Sequence, residues 1–229
     1  MNARDRLQAG RAATHAGQFE DALAHFVWFH EHALQEDPSY RGVRLSFALS
    51  YWLELAEQYP PAMAEYQAKL NDKIERLLGG ELRRSLFYDI EAMNESLNED
   101  QRTAEVFAAL DATQSEFAQS CARIAVPALV RVKCYALAAK YVPEPETQVL
   151  AKASELVRDV AEIETRPRTR APRYRAFLQI FAEDLRQMEE LLNSTGHEGR
   201  AKQLRSQALS ALKPVYLRNA VAKLLVAEA

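Results

Sequence analysis

The sequence predicts an all-α protein of stacked antiparallel helix hairpins, and three observations carry that prediction. Ala, Leu, Glu, Arg and Gln, which enter a helix at little cost, dominate the 229 positions. Apolar residues recur three and four apart, the spacing that gathers them on one helix face, and no stretch alternates as a half-buried strand does. Helix breakers stand at the ends of these periodic segments, at Gly17, Asp37-Pro38, Pro60-Pro61 and Gly79-Gly80.

The first helix is predicted over 3–15 and stops at Gly17, whose tolerance of positive φ suits a tight turn. The second spans 18–36 with Ala22, Phe26, Phe29 and Ala33 on one face. Asp37-Pro38 ends it, because the residue before proline avoids the helical region. These two helices make a hairpin. A longer pair follows, with Leu45, Leu49, Trp52 and Leu55 on a helix over 40–59, then a helix opened by Pro60-Pro61 and closed near Leu78. Proline in the first turn forfeits no internal hydrogen bond. Further helices are expected at 81–97, 101–118, 121–141, 146–164, 173–193, 198–212 and 215–227. The apolar run 121–142 is divided by Arg123, Arg131, Lys133 and Lys140 and contains Pro127, so it reads as a bent core helix and not as a membrane span. The run from Arg166 to Pro172 has two prolines, three arginines and no large apolar residue, and reads as an exposed loop.

Charge divides the chain unevenly. Residues 1–164 hold 17 Lys+Arg and 26 Asp+Glu, net −9, whereas 165–229 hold 12 and 6, net +6. On this basis 1–164 is expected to be a helical-repeat domain and 165–229 a basic helical segment packed on it. Cys121 and Cys134 lack metal or redox spacing and read as small hydrophobes in a reducing compartment. With no apolar leader at the N-terminus, a cytoplasmic location is expected.

Internal similarity sharpens the picture. AGQFEDALAHF at 16–26 aligns with EQYPPAMAEYQ at 57–67, pairing Phe19 with Tyr59, Ala22 with Ala62 and Phe26 with Tyr66. An alanine flanked by aromatics suits a close helix crossing with bulk on either side. Gly10, Gly17, Phe19, Ala22, Phe26 and Pro38 together resemble one unit of a tetratricopeptide repeat. A weaker echo has Gly196, Ala201, Ala208 and Pro214 at comparable places. The period here, about 40, is longer than the 34 of that family, and the middle of the chain matches poorly. The resemblance implies a tetratricopeptide-like α-solenoid or α–α superhelix that binds proteins.

Several catalytic chemistries lack their residues. No glycine-rich phosphate loop follows a strand, and there is no Gly-x-Ser-x-Gly, His-Glu-x-x-His or paired Glu-x-x-His. Asp21, His25, Trp28, His32 and Glu36 form a polar stripe, but His25 and His32 lie two turns, about 10 Å, apart, too far for one ion. No catalytic residue, metal or cofactor is therefore expected.

The resemblance implies that the first helix of each hairpin lines a groove. Arg4, Arg11, Thr14, His15, Arg44, Tyr51 and Glu54 are then the candidate partner-binding residues, suited to an acidic peptide because arginine offers paired donors to a carboxylate. Leu7 and Arg11 occupy places where the family's chaperone-binding members hold a C-terminal carboxylate with lysine and asparagine, so that ligand class is not expected. A second candidate surface is the run Arg166, Arg168, Arg170, Arg173 and Arg175, expected to face an acidic surface. Two alternatives stand beside this reading: a regulatory or nucleic-acid role for the basic third, against which the acidic first 164 residues weigh because they repel phosphate, and an enzyme of a type these motifs do not reveal.

Overall fold

The computed structural model describes residues 1–164 and 170–227. All regular structure among them is helical. The elements are α1 (Ala3–His15), α2 (Phe19–Glu36), a 3-10 turn at Pro38–Tyr40, α3 (Arg41–Arg44), α4 (Phe47–Gln58), α5 (Pro60–Leu78) and α6 (Arg84–Ser96). There follow α7 (Asp100–Thr113), α8 (Ser115–Arg131), α9 (Tyr135–Tyr141), α10 (Pro145–Glu164), α11 (Arg170–Ser194), α12 (Glu198–Ala211) and α13 (Val215–Ala227). The all-α class is as the sequence predicts. No helix among the described residues is long and apolar enough to cross a membrane.

Two compact units, Met1–Ala128 and Leu129–Ala229, divide the chain within α8. The change of charge sign at 164/165 lies elsewhere, because charge balance reports on the solvated surface while compactness follows buried apolar contacts.

In the first unit the main contacts follow chain order: α1 with α2, α2 with α4, α4 with α5, α5 with α6, and α6 with α7. Next-but-one contacts join α4 to α6 and α5 to α7, and α1 also touches α4. Phe26, Phe29, Trp52, Tyr66, Phe87 and Phe107 fill the interior. The positions aligned by internal similarity behave alike. Ala22 and Ala62 are fully buried, and Phe19 meets Tyr59 with ring centroids 5.7 Å apart. Around Ala62 the helices are also tied by polar groups: the Trp52 indole N–H donates to the Ala62 carbonyl at 2.9 Å, and the Tyr66 hydroxyl donates to the Met93 carbonyl at 3.0 Å. A Cβ on Gly10 would stand 2.7 Å from a ring carbon of Phe26, so α1 crosses α2 at a distance only glycine permits. In the second unit α11 packs against α9, α10, α12 and α13. Ala201 and Ala208 are buried there.

Among the described residues five helices end in the same way. After α1, α5, α6, α8 and α11 a left-handed residue reverses the chain: Gly17 at φ 73°, Gly80 at 106°, Asn98 at 57°, Lys133 at 62° and Gly196 at 81°. The next amide then reaches back to the third carbonyl from the helix end, as in Gln18 to Ala13, Glu81 to Arg76, Glu99 to Asn94, Cys134 to Leu129 and His197 to Leu192. Lysine gains nothing from this conformation. Lys133→Gly is therefore expected to raise stability by about 1 kcal/mol, the usual cost of a Cβ in the left-handed region less glycine's entropy. Urea unfolding would check this through a higher midpoint at unchanged slope.

Several predicted boundaries require correction. The helix expected over 40–59 is interrupted, because Ser46 leaves the helical region at φ −136° and ψ −94° while its hydroxyl donates to the Gly42 carbonyl at 2.7 Å. The break expected near 119 falls instead at Gln114, where φ is −144°. The core helix expected over 121–141 is two helices, α8 and α9, parted by the turn at Lys133. The start of α11 at Arg170 places Pro172 in a first turn, where its missing N–H forfeits nothing. The helix expected over 173–193 is longer, since α11 has 25 residues.

Candidate functional site

Three arrangements in the first unit bear on function, and most of the predicted site residues of α1, α3 and α4 fall in the first two. On α1, Arg4, Arg11 and His15 are exposed at steps of seven and four, one stripe of that helix. On α4, Tyr51 is half-buried and Glu54 exposed. The Arg11 guanidinium lies over the Tyr51 ring, 4.3 Å from its centroid, and so joins the two stripes. Sequence reasoning missed a neighbour. Phe47, one turn before Tyr51 on the same face, is 62% exposed. Its spacing to Tyr51 and Glu54, four and seven, was the available signal.

Two predicted members do not belong to this face. Thr14 is buried, and its hydroxyl donates to the Gly10 carbonyl at 3.0 Å. Arg44 is turned inward. Its Nε donates to the His30 carbonyl at 2.5 Å, and both terminal nitrogens donate to the Asp89 carboxylate at 2.6 Å, while Lys73 Nζ donates to the same carboxylate at 2.9 Å. Each has its own cause: α3, which carries Arg44, is a single turn packed on α2 and α4, and the end of α1, which carries Thr14, faces α2.

This buried cluster holds two cations and one carboxylate beside a histidine. Burial pushes the Asp89 carboxyl up, but the hydrogen bonds and charge of Arg44, with those of Lys73, outweigh it and bring it down to about 2. Burial, then the positive charges of Arg44 and Lys73, hold His30 well below its ordinary 6.5. His30 Nε2 lies 3.4 Å from the Arg44 guanidinium, an acceptor's place, so the ring proton belongs on Nδ1, which has no partner. The folded state thus excludes a proton that unfolded His30 accepts. Stability from this source is complete above about pH 6.5 and is lost progressively below it, and the Asp89 share goes only below about pH 4. Thermal melts at pH 7 and pH 5 should show a drop that His30→Gln largely removes.

The third arrangement is a cleft of about 450 Å³ between α2 and the start of α5. Leu23, Val27 and Trp28 of α2 and the nearby Tyr59 form its apolar part, with Glu20 at one end and Glu31 and Glu65 at the other. Lys69 Nζ reaches Glu31 at 2.5 Å and Glu65 at 3.6 Å. Arg6 of α1 stands 4.8 Å from the Trp28 ring centroid, and its NH1 lies 3.4 Å from His25 Nδ1.

The polar stripe on α2 is dispersed among these neighbours. His25 meets Arg6, Glu36 accepts the Ala3 amide at 2.7 Å, and His32 approaches Glu31 at 3.9 Å. Among the described residues no group of His, Cys, Asp and Glu is placed to hold a metal ion. Of the arginine run, Arg173 and Arg175 are exposed on α11, and Arg166, Arg168 and the Arg170 side chain lie outside the described residues. No protein-family model matches the chain, and no curated protein or solved structure is significantly similar to it.

Proposed function

We propose that the chain is a protein–protein interaction module, a tetratricopeptide-like helical array whose α1 and α4 present a face to an acidic peptide or protein partner. The observation that carries this reading is Arg11 laid across Tyr51 beside the exposed Phe47. Aromatic rings and arginines are the side chains that most often dominate binding energy at interfaces. Stacking also fixes the guanidinium before a partner arrives, so less freedom is lost when its N–H groups take a carboxylate. The chain-ordered helix contacts and the matched alanines favour a repeat array over an irregular bundle. The reading assigns the chain no catalytic residue and no cofactor.

Affinity purification from the native host, with mass spectrometry of what co-elutes, tests the proposal when wild type is compared with Phe47→Ala and Arg11→Glu. Both residues are exposed, so melting temperatures should hold while the same co-eluting proteins are lost. An unchanged set of partners in both variants would remove this face from the function.

A further inference from the structure

We infer that the cleft between α2 and α5 is a second docking site, for a cationic amphipathic segment of a protein partner with apolar side chains in its middle and Lys or Arg at its ends. Helix α2 carries more apolar surface than its own hairpin uses. Ala22, Phe26, Phe29 and Ala33 are buried in the interior, yet Leu23, Val27 and Trp28 are half-exposed along the cleft, Trp28 also packing against the interior beside Ala3 and Phe29. A second apolar stripe on a helix whose first is already buried marks a surface made for another molecule.

The ends of the cleft identify the occupant. Glu20 and Glu31 are eleven residues apart on α2, about 16 Å along its axis, the length of three helical turns. Among the described residues the Glu20 carboxylate has no partner, and at the other end Glu31 and Glu65 share one ammonium, that of Lys69. Arg6, the other cation at Trp28, is directed to His25. Each end therefore keeps a carboxylate that no lysine or arginine among the described residues fully matches. The surrounding unit draws the same kind of partner, since residues 1–128 hold 12 Lys+Arg against 20 Asp+Glu, net −8. An anionic segment would meet like charge at both ends. The α1/α4 face, with Arg4 and Arg11, has the opposite preference, and the present inference does not rest on it.

The two tryptophans supply the test. Trp28 lines the cleft, whereas Trp52 is 1% exposed, so acrylamide quenching of the full chain reports on Trp28. The probes are a 16-residue amphipathic Leu/Lys peptide and its Leu/Glu counterpart. The Leu/Lys peptide is expected to shield Trp28. Its affinity should fall about tenfold or more in Glu20→Lys and in Val27→Arg, fall less in Glu20→Gln, and weaken at about 0.5 M salt. Glu105→Lys, the same charge change on an exposed position of α7, and Phe47→Ala on the other face should leave it near the wild-type value. Equal loss in Glu20→Lys and Glu105→Lys would mean general attraction to an acidic surface. That result would overturn the inference, as would equal binding of the Leu/Glu peptide or binding without shielding of Trp28. None of these outcomes touches the α1/α4 face, whose own variants are read by partner loss.

Discussion

Replacing Asp89 with alanine is expected to lower the free energy of unfolding by about 3–5 kcal/mol, the range found when a buried ion pair loses one member. Asp89 is the carboxylate that faces both Arg44 and Lys73, so its removal leaves the buried Arg44 and the part-buried Lys73 together without a counter-charge. Arg44→Met should cost less, because Asp89 would keep Lys73 and the apolar side chain would fill the space. An exposed pair gives the contrast. Arg76→Ala, which breaks contacts with Asp72 and Glu81 at the surface, should change stability by at most about 1 kcal/mol. Chemical denaturation of the three variants would rank them. If Asp89→Ala fell with Arg76→Ala, water would have to reach the cluster in the folded state.

Ala22→Arg and Ala62→Arg are expected to cost about 4 kcal/mol or more each, enough to remove most of the stability of a typical domain. Both alanines are fully buried at helix crossings, so arginine must either force the helices apart or place an unpaired guanidinium among apolar side chains. Smaller changes should grade with the space available. Gly10→Ala sets a Cβ 2.7 Å from the Phe26 ring and should cost about 1–3 kcal/mol, whereas Glu57→Arg on the surface should stay within about 0.5 kcal/mol. Thermal melts followed by circular dichroism would read the series, with a baseline of dominant helix and essentially no sheet. Melting temperatures for the alanine variants within about a degree of wild type would refute the crossing assignment, since 1 kcal/mol moves a chain of this size by about 2–4 °C.

What could be read from the sequence was whatever local chemistry determines. The limits of α1 and α5 follow from Gly17, Pro60 and Gly79-Gly80, and the burial of Ala22, Ala62, Phe26 and Tyr66 follows from spacing alone. Three stops without glycine or proline were misread, Ser46, Gln114 and Lys133, which leave the helical region without a composition that announces it. Arg44 was misplaced for a different reason. Its partner Asp89 is 45 residues away, and no periodicity near Arg44 distinguishes an inward arginine from an outward one. The cleft was equally hidden, because it exists only once Tyr59 and Glu65 lie beside α2. Arg11 is exposed and Tyr51 half-buried, and their contact and the neighbouring Phe47 needed the relative position of α1 and α4.

The link from α3 to α6 has a consequence for how the first unit opens. Helices that touch mainly their chain neighbours can peel away from an end, one hairpin after another. Here the side chain of Arg44 holds the His30 carbonyl of α2 and the carboxylate of α6, and Lys73 joins α5 to that same carboxylate. Releasing α3, α5 or α6 separates charges that match one another, and releasing α2 takes a hydrogen-bond acceptor from the Arg44 guanidinium, so partial opening within the group gains little freedom for a large loss. Backbone amides from α2 to α6 should accordingly exchange with deuterium as one cooperative set with a common free energy. The outer turns of α1 and α7 should exchange sooner and independently.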